Sequence, residues 1–284
     1  MEGGLNHTVM SLAGLQVLSL ESRRAKDIES LIVRQSGIAF VAPSVRERAV
    51  EDHSIAIRFV EQLEAGDFDI IVCMTGVGLT FLRDVVITQM PVERLSAALR
   101  RALIISRGTK PVPVLRALQV PIAILIPEPN TWKEIVAAIA PRPERRIAVQ
   151  EYGRPNLEMN AALEAIGATV TPFALYRWEL PEDIEPLREA ARRLARNEFD
   201  VAVFTSSIQL DHLLEIARDL GIEREVMDSL AHRVVIASVG PVMTAALLAH
   251  GLPPDIVPTN PKMGALIMAT SAEAVAALQK KHPS

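Results

Sequence analysis

Short apolar runs along this chain alternate with longer stretches in which apolar residues recur every three or four positions. Val201–Phe204 and Ile122–Ile126 contain no polar residue, as expected for strands that are buried on both faces of a parallel sheet. The longer stretches predict helices with one apolar face. Three such faces are formed by Ile28, Leu31 and Ile32, by Leu79, Leu82 and Val86, and by Leu210, Leu213, Leu214 and Ala217. Alternating strands and helices predict an α/β fold with doubly wound parallel sheets.

This pattern occurs twice in the chain. Residues 68–76 correspond to residues 199–207, and in both copies Phe-Asp precedes an apolar run that ends in small or hydroxyl-bearing residues. Two further pairs of segments correspond in the same order, 17–41 with 147–171 and 103–108 with 234–240. The repeated order predicts two similar domains. A single large domain is the alternative at this length.

Composition narrows the class of protein. The chain has 284 residues, of which 49% are hydrophobic and 4% aromatic, enough for two cores built from Ala, Leu, Ile and Val. A net charge of -4 offers no basic surface for nucleic acid. No apolar run approaches the length of a membrane span, and residues 1–10 do not resemble a secretory signal. The single cysteine, Cys73, lies in an apolar run and is expected to be a buried thiol, which suits the cytoplasm.

Motifs for metals, nucleotides and nucleophilic catalysis are missing. The six histidines show no metal-ligand spacing, so no metal site is expected. Gly76-Val77-Gly78 lacks the third glycine of a dinucleotide-binding turn, and no phosphate-loop lysine follows it. There is no G-x-S-x-G motif, and Asp211-His212 is expected on the solvated face of a helix. No cofactor is therefore predicted.

Small and hydroxyl-bearing residues follow several predicted strands, where helices begin. The first N–H groups of a helix have no intrahelical acceptor and attract anions, and ligands of open α/β sheets bind at these strand ends. The alternative is that each hydroxyl only caps its helix. Basic side chains near these turns, Arg23, Lys110 and Arg154, would meet an acidic ligand or are surface charges. The candidate turns contain Thr75, Gly76 and Val77, Gly108, Thr205, Ser206 and Ser207, and Gly240 and Pro241.

Taken in order, these segments resemble the uroporphyrinogen-III synthase family. Residues 203–207, Val-Phe-Thr-Ser-Ser, are similar to the family's hydrophobic-F-T-S-x turn, and residues 239–241 and 251–253 are similar to its G-P…G-L-P segment. Residues 75–78 resemble a variant of the first-domain turn. Tyr152-Gly153-Arg154 and Leu175-Tyr176-Arg177 match in order and spacing. The family commonly has a threonine where this chain has Met243, with Thr244 one residue later.

The resemblance implies a discontinuous domain arrangement. One domain is expected to comprise residues 1–39 and 176–284, and the other residues 44–170. Residues 40–43 and 171–175 are expected to form a two-strand hinge between them, because both segments are short, apolar and marked by proline.

The resemblance also implies an activity, the cofactor-free closure of hydroxymethylbilane to uroporphyrinogen III with inversion of ring D, in haem or cobalamin synthesis. Such a lyase would bind the linear tetrapyrrole between its domains and act as a monomer, in transient contact at most with the preceding enzyme of the pathway. The alternative is a diverged two-lobed module that binds a tetrapyrrole or another small molecule without converting it.

The expected roles of single residues follow from the same resemblance. Tyr176 is expected to assist departure of the substrate's hydroxyl; the alternative is that it braces the hinge. The expected substrate-binding residues are Arg23, Thr75, Gly76, Val77, Gly108, Lys110, Tyr152, Gly153, Thr205, Ser206, Ser207, Gly240 and Pro241.

Overall fold

The structure of the protein, a computed structural model, describes residues 11–153 and 155–282. The expectations about residues 1–10 and about Arg154 fall outside these ranges. The described residues form eleven strands, β1 Gln16–Ser19, β2 Ile38–Val41, β3 Arg46–Ala49, β4 Ile70–Cys73, β5 Leu103–Ser106, β6 Ile124–Leu125, β7 Arg146–Gln150, β8 Thr169–Phe173, β9 Tyr176–Glu179, β10 Val201–Phe204 and β11 Val235–Ser238.

Twelve helices lie in the same described ranges. They are α1 Ala25–Arg34, α2 Ser54–Ala65, α3 Gly76–Val86, α4 Val92–Leu99, α5 Val112–Ala117, α6 Trp132–Ile139, α7 Leu157–Ala165, α8 Glu185–Ala195, α9 Ser207–Asp219, α10 Glu223–His232, α11 Pro241–Ala249 and α12 Met263–Lys281.

The chain divides into two compact units. The described part of residues 1–46 and 179–284 forms the terminal unit, and residues 47–178 form the central unit. The chain passes between the units within β3 and within β9, which pair as a two-stranded sheet. The proposed connectors lie earlier in the chain: residues 40–41 belong to β2, and residues 171–173 belong to β8. Tyr176, assigned from sequence to the domain of the C-terminal portion, falls in the central unit.

Each unit contains one parallel sheet, and the two sheets share an arrangement. The terminal sheet has the order β11-β10-β1-β2, and the central sheet has the order β6-β5-β4-β7-β8. Every strand pair within them is parallel. The repeated segments occupy matching places, because β10 lies between β1 and β11 as β4 lies between β7 and β5. The α/β class with parallel sheets is therefore confirmed.

The aspartate that precedes the apolar run of each repeat, Asp69 or Asp200, makes the same kind of contact in both units. The backbone N–H of Gln16, the first residue of β1, donates to Asp200 Oδ2 (2.7 Å). In the central unit the N–H of Arg146, the first residue of β7, donates to Asp69 Oδ2 (3.1 Å). These carboxylates satisfy N–H groups at the start of a neighbouring strand, where the ladder supplies no acceptor. The matching contacts also fix which residues of the two units are equivalent.

Both faces of each sheet are buried, which explains the uninterrupted apolar runs. One face of the terminal sheet packs Leu18, Ala202, Phe204 and Ile236 into one cluster, and the other packs Val17, Val201, Val203 and Val235 into a second. The central strands divide in the same way. The run 122–126 is an exception: β6 has two residues, pairs only with β5 in the described sheet, and leaves Leu125 50% exposed at the sheet edge.

Two single-residue expectations have different outcomes. Cys73 is fully buried, and burial raises the pKa of its thiol to about 12, so a buried thiol is confirmed. The solvated face expected for His212 is wrong. This side chain is 6% exposed, and its Nδ1 lies 2.6 Å from the carbonyl oxygen of Ser44, because the segment that leads into β3 covers this face of α9. No helix in the described ranges is long and apolar enough to cross a membrane.

The packing predicts a sharp contrast between two leucine-to-alanine changes. Leu213 of α9 is fully buried, and Leu248 of α11 is 56% exposed. Leu213→Ala should lower the free energy of unfolding by about 2–5 kcal/mol, because it leaves a cavity. Leu248→Ala should change it by less than about 0.5 kcal/mol. Denaturant titration followed by circular dichroism measures both, and equal losses would contradict the assignment of the core.

Candidate functional site

The turn after β4 is organised by a threonine. Thr75 is the N-cap of α3, and its Oγ1 accepts the backbone N–H of Gly78 (3.1 Å). Its extended backbone ends the strand, and the side-chain bond satisfies one of the N–H groups that open the helix. The N–H groups of Gly76 and Val77, at the first two helical positions, have no acceptor within the helix. Helix geometry therefore leaves two donors at this strand end that could bind an anion.

Tyr176 meets this turn at the start of β9. Its Oη lies 3.2 Å from Thr75 Oγ1, and its ring stacks on Phe81 of α3 with 5.6 Å between centroids. Tyr176 is 1% exposed. The structure thus brings together two residues that the sequence nominated separately, but it buries the phenol that was expected to face the substrate.

A buried glutamine completes the turn. Gln150, the last residue of β7, is fully buried. Its Oε1 accepts the backbone N–H of Thr75 (3.0 Å), and its Nε2 donates to the carbonyl oxygen of Glu151 and faces Thr75 Oγ1 at 3.4 Å. The amide satisfies an N–H group that neither the sheet nor the helix can pair. Consequently the Thr75 N–H is not open to a ligand.

The turns after β4 and β5 lie against each other. A Cβ on Gly76 would lie 2.5 Å from the carbonyl oxygen of Lys110, so only glycine permits this approach. Gly108 has a φ of 71°, in the left-handed region. The Arg107 guanidinium stands over the Tyr152 ring at 4.9 Å from its centroid. Gly76, Gly108, Lys110 and Tyr152 are thus held in one group of loops at the carboxyl end of the central sheet.

Tyr152 and Gly153 pack against the strand that carries Tyr176. The Tyr152 ring meets Trp178 edge-on at 5.6 Å, and its Oη lies 3.3 Å from Asn156 Nδ2. Gly153 has a φ of 70°, and a Cβ there would lie 2.3 Å from the Trp178 ring. Both residues therefore lie against the Trp178 ring of β9.

Glu151 is a buried acid beside this group of loops. It is 6% exposed, and its carboxyl accepts hydrogen bonds from the backbone N–H of Asn156 and from the side chain of Asn160. Its Oε1 has no hydrogen-bond partner among the described residues. Desolvation is the main cause that raises the pKa of this carboxyl above its ordinary value of 4.5.

The corresponding turn of the terminal unit follows β10. Gln209 of α9, 3% exposed, accepts the backbone N–H groups of Thr205 (2.8 Å) and Ser206 (3.2 Å) through Oε1. Its Nε2 donates to Thr205 Oγ1 (2.8 Å), and this hydroxyl donates to Glu21 Oε2. The Thr205 and Ser206 N–H groups, which were expected to bind a substrate carboxylate, therefore donate to Gln209 instead. The carboxylate of Glu21 also lies next to this turn.

The turn after β11 holds Gly240 and Pro241. Gly240 has an extended backbone, and a Cβ there would lie 2.8 Å from Pro261 Cβ; Pro241 begins α11, where its missing N–H costs nothing. Met243 is 2% exposed and packs in the core. Thr244 turns its hydroxyl to Ser238 Oγ (2.9 Å) at the end of β11. A threonine hydroxyl thus lies at this strand end, supplied one position after Met243.

Of the remaining candidates, Arg23 is exposed in the turn that follows β1, near Glu21, and Ser207 begins α9. The nominated residues of each unit therefore gather at the carboxyl ends of its own strands. In the described ranges, no three His, Cys, Asp or Glu side chains form a cluster that could hold a metal ion.

Four residues at these turns were missed from sequence. Glu21 and Glu151 were detectable, because the correspondence of residues 17–41 with 147–171 pairs them. Gln209 was detectable as the third residue after Ser206, the glutamine of a capping-box pattern. No local signal marks Gln150, because its partner Thr75 lies in a turn that is distant in sequence.

Comparison with known proteins gives a consistent result. The model of the family described as uroporphyrinogen-III synthase HemD matches residues 26–268. The uncharacterized protein YjjA of Bacillus subtilis strain 168 is 28% identical over 265 residues, which cover 90% of this chain and 95% of YjjA. A putative uroporphyrinogen-III synthase of Methanothermobacter thermautotrophicus is 34% identical over 90 residues, 32% of this chain and 34% of that protein.

Solved structures show the same fold. A crystal structure of a mutant uroporphyrinogen III synthase from the extremely thermophilic bacterium Thermus thermophilus superposes with a TM-score of 0.71 at 24% identity, covering 94% of this chain and all of that one, 100%. At this identity the likeness concerns the fold.

The burial of Glu151 predicts a specific dependence of stability on pH. Because its pKa is raised in the folded state, the folded protein retains a proton that the unfolded chain releases, so this group removes stability as the pH rises from 4.5 to the folded pKa. Glu151→Gln cannot ionise. Its free energy of unfolding relative to the unmutated protein should therefore increase over that interval and then stay constant, as measured by denaturant titration between about pH 4 and pH 8.

Glu158→Gln is the matched control, because Glu158 lies exposed on the adjacent helix α7. If both variants changed stability with pH in the same way, the effect would belong to the loss of any carboxylate. The assignment to the buried group would then be wrong.

Proposed function

Because the chain belongs to the uroporphyrinogen-III synthase family, we propose that it closes hydroxymethylbilane to uroporphyrinogen III with inversion of ring D, as a lyase that eliminates water. The family match over residues 26–268 carries this proposal. The reaction as proposed uses no cofactor and serves tetrapyrrole synthesis. We also propose that the protein acts as a monomer in the cytoplasm.

Donors at the strand ends support binding of an acidic tetrapyrrole. The N–H groups of Gly76 and Val77 and the exposed Lys110 lie at the carboxyl end of the central sheet, where anions bind in α/β folds. Arg23 is an exposed cation near the matching turn of the terminal unit. Because Thr205 and Ser206 are engaged with Gln209 and Glu21, we assign carboxylate binding mainly to the central unit.

The chemistry demands little from the protein beyond one proton and a fixed geometry. The C–O bond of the hydroxymethyl group breaks, the hydroxyl leaves as water with a proton from Tyr176, and the electrons of ring A form an azafulvene. Ring D attacks through its substituted carbon to give a spiro intermediate. Fragmentation and reclosure invert ring D, and the proton released as the ring regains aromaticity restores the balance. Holding the flexible chain in this arrangement is the larger contribution of the protein.

The burial of Tyr176 defines how it would act. A side chain that is 1% exposed reaches a ligand only after a local shift, and Phe81 and Thr75 are among the groups that lie against it. We therefore propose that substrate binding at the α3 turn moves these groups enough to admit the leaving hydroxyl.

Binding without turnover is the second candidate function. It is favoured by Met243, which lies buried in the core where the family commonly has a threonine. A protein of this kind would hold the tetrapyrrole and release it unchanged.

The deciding experiment supplies hydroxymethylbilane to the purified full chain and separates the type I and type III isomers. Without an enzyme the substrate closes to the type I isomer. We expect the type III isomer to dominate, with the same yield after treatment with a chelator, because the proposed chemistry uses only protein groups. Type I alone, together with measurable tetrapyrrole binding, would favour the binding module instead.

Replacing Tyr176 with phenylalanine should lower turnover more than it lowers affinity for the product, because the closed macrocycle has no leaving hydroxyl. Loss of a general acid costs about 10²–10⁴-fold in rate. Stopped assays give the turnover, and titration with uroporphyrin III, the stable oxidised form of the product, gives the affinity.

Thr88→Val is the control, because it removes an exposed hydroxyl that follows α3 and donates to the carbonyl oxygen of Val85, away from the α3 turn. Its turnover should stay close to that of the unmutated protein. Full turnover in Tyr176→Phe at an unchanged melting temperature would exclude Tyr176 from the chemistry. A parallel fall of melting temperature and activity would support the bracing role.

A further inference from the structure

In each unit a buried glutamine amide contacts the turn that follows β4 or β10. The two glutamines, however, occupy positions that are not equivalent in the repeat. In the terminal unit the amide belongs to Gln209, the third residue of α9. In the central unit it belongs to Gln150, at the end of the neighbouring strand β7. Both units therefore have an amide at the turn, but a strand residue supplies it in the central unit and a helix residue supplies it in the terminal unit.

Strand register shows that each glutamine has a residue without an amide at the equivalent position of the other unit. Val17 pairs with Val201 in the terminal sheet, and Ile147 pairs with Ile70 in the central sheet. Counting three residues along the chain from Val17 and from Ile147 makes Leu20 the equivalent of Gln150. The third helical residue after the N-cap is Gly78 in α3, the equivalent of Gln209.

The glutamine amide at residue 150 and a side chain at residue 78 cannot both occupy the space beside Thr75. A Cβ on Gly78 would lie 2.1 Å from Gln150 Nε2 and 2.5 Å from its Cδ. The amide of Gln150 therefore occupies the position from which a longer side chain at residue 78 would start. Glycine at residue 78 and glutamine at residue 150 form one arrangement, and Gln209 with Leu20 forms the other.

Backbone groups fix the orientation of both amides. A backbone N–H can only donate, so the Gln150 atom that meets Thr75 N–H is the oxygen, and the nitrogen faces the carbonyl of Glu151. Gln209 oxygen likewise meets two backbone N–H groups. The nitrogen of each amide is thereby directed at a threonine hydroxyl, Thr75 or Thr205.

These donors set the direction of the hydroxyl proton. Thr75 Oγ1 receives the Gly78 N–H at 3.1 Å and faces Gln150 Nε2 at 3.4 Å. A hydroxyl has two acceptor sites and one proton, so the Thr75 proton is directed to Tyr176 Oη. In the terminal unit Thr205 receives Gln209 and donates to Glu21.

We propose that Gln150 is a positioning residue that makes Thr75 donate to Tyr176, and that Gln209 does the same for Thr205 and Glu21. This inference rests on the proposed function, because it assigns Gln150 the task of keeping the Tyr176 proton directed away from Thr75. Without the amide nitrogen, Thr75 can accept from Tyr176, and the hydrogen bond between the two hydroxyls then runs in the opposite direction.

The test uses variants that distinguish the hydrogen bonds of the Gln150 amide from the packing of its side chain. Gln150→Glu keeps an acceptor for the Thr75 N–H and removes the donor to the hydroxyl. Gln150→Leu removes both and gives the residue of the terminal unit. The double variant Gly78→Gln/Gln150→Leu returns an amide from the third helical position, as in α9, and Gly78→Leu/Gln150→Leu returns only apolar volume.

We expect Gln150→Glu and Gln150→Leu to lower turnover by about 10- to 100-fold with little change in affinity for uroporphyrin III. The Gly78→Gln double variant should recover part of this loss, and the Gly78→Leu double variant should recover none. Unchanged turnover in both single variants, or equal recovery in the two double variants, would reduce Gln150 to a packing residue and overturn the proposal.

Hydrogen exchange of the Thr75 backbone N–H supplies a readout that does not need activity. Protection should persist in Gln150→Glu, fall in Gln150→Leu and return in the Gly78→Gln double variant. If the unmutated protein forms no type III isomer, the proposed function fails, and this exchange pattern alone decides whether the amide holds the turn. If Gln150→Leu does not fold, folding of the Gly78→Gln but not the Gly78→Leu double variant supports the proposal, and the reverse overturns it.

Discussion

The interaction on which both candidate turns depend is the bond between a buried side-chain amide and the backbone N–H groups at the end of the central strand. Where a parallel strand leaves the sheet and a helix begins, neither ladder nor helix pairs these groups. Leaving one buried and unpaired costs about 1–3 kcal/mol. Gln150 and Gln209 remove that cost and at the same time orient the threonine hydroxyls beside them. Thr75, held in this way, lies 3.2 Å from Tyr176 Oη.

The two turns are alike in geometry and different in chemistry. In the central unit the oriented hydroxyl meets a phenol, and in the terminal unit it meets the carboxylate of Glu21. A carboxylate repels acidic substituents of a ligand, whereas the α3 turn presents N–H groups and lies beside Lys110. The central unit has the equivalent acid, Glu151, but it is buried, and desolvation, which raises the pKa of its carboxyl, disfavours the charged form. This asymmetry is the physical reason for assigning carboxylate binding mainly to the central unit.

Sequence predicted those features that depend on local pattern. Apolar runs predicted the buried strands, the repeat predicted two similar sheets, and strand ends predicted where hydroxyl groups gather. The edge position of β6 was not predictable, because composition does not reveal which strand lacks a second neighbour. The role of Gln150 was also out of reach, because it depends on the register between β7 and β4. The burial of Tyr176 likewise depends on contacts with Phe81, which precedes it by many residues.

The central claim is that the α3 turn of the central unit binds the carboxylates of a tetrapyrrole. Titration of the ¹⁵N-labelled full chain with uroporphyrin III, followed by the backbone amide signals, tests it most directly. We expect the signals of Gly76, Val77 and Lys110 to shift together and to saturate, with smaller changes at Thr205 and Ser206. Saturable shifts confined to other parts of the chain, or no shifts at millimolar ligand, would contradict this account of the site.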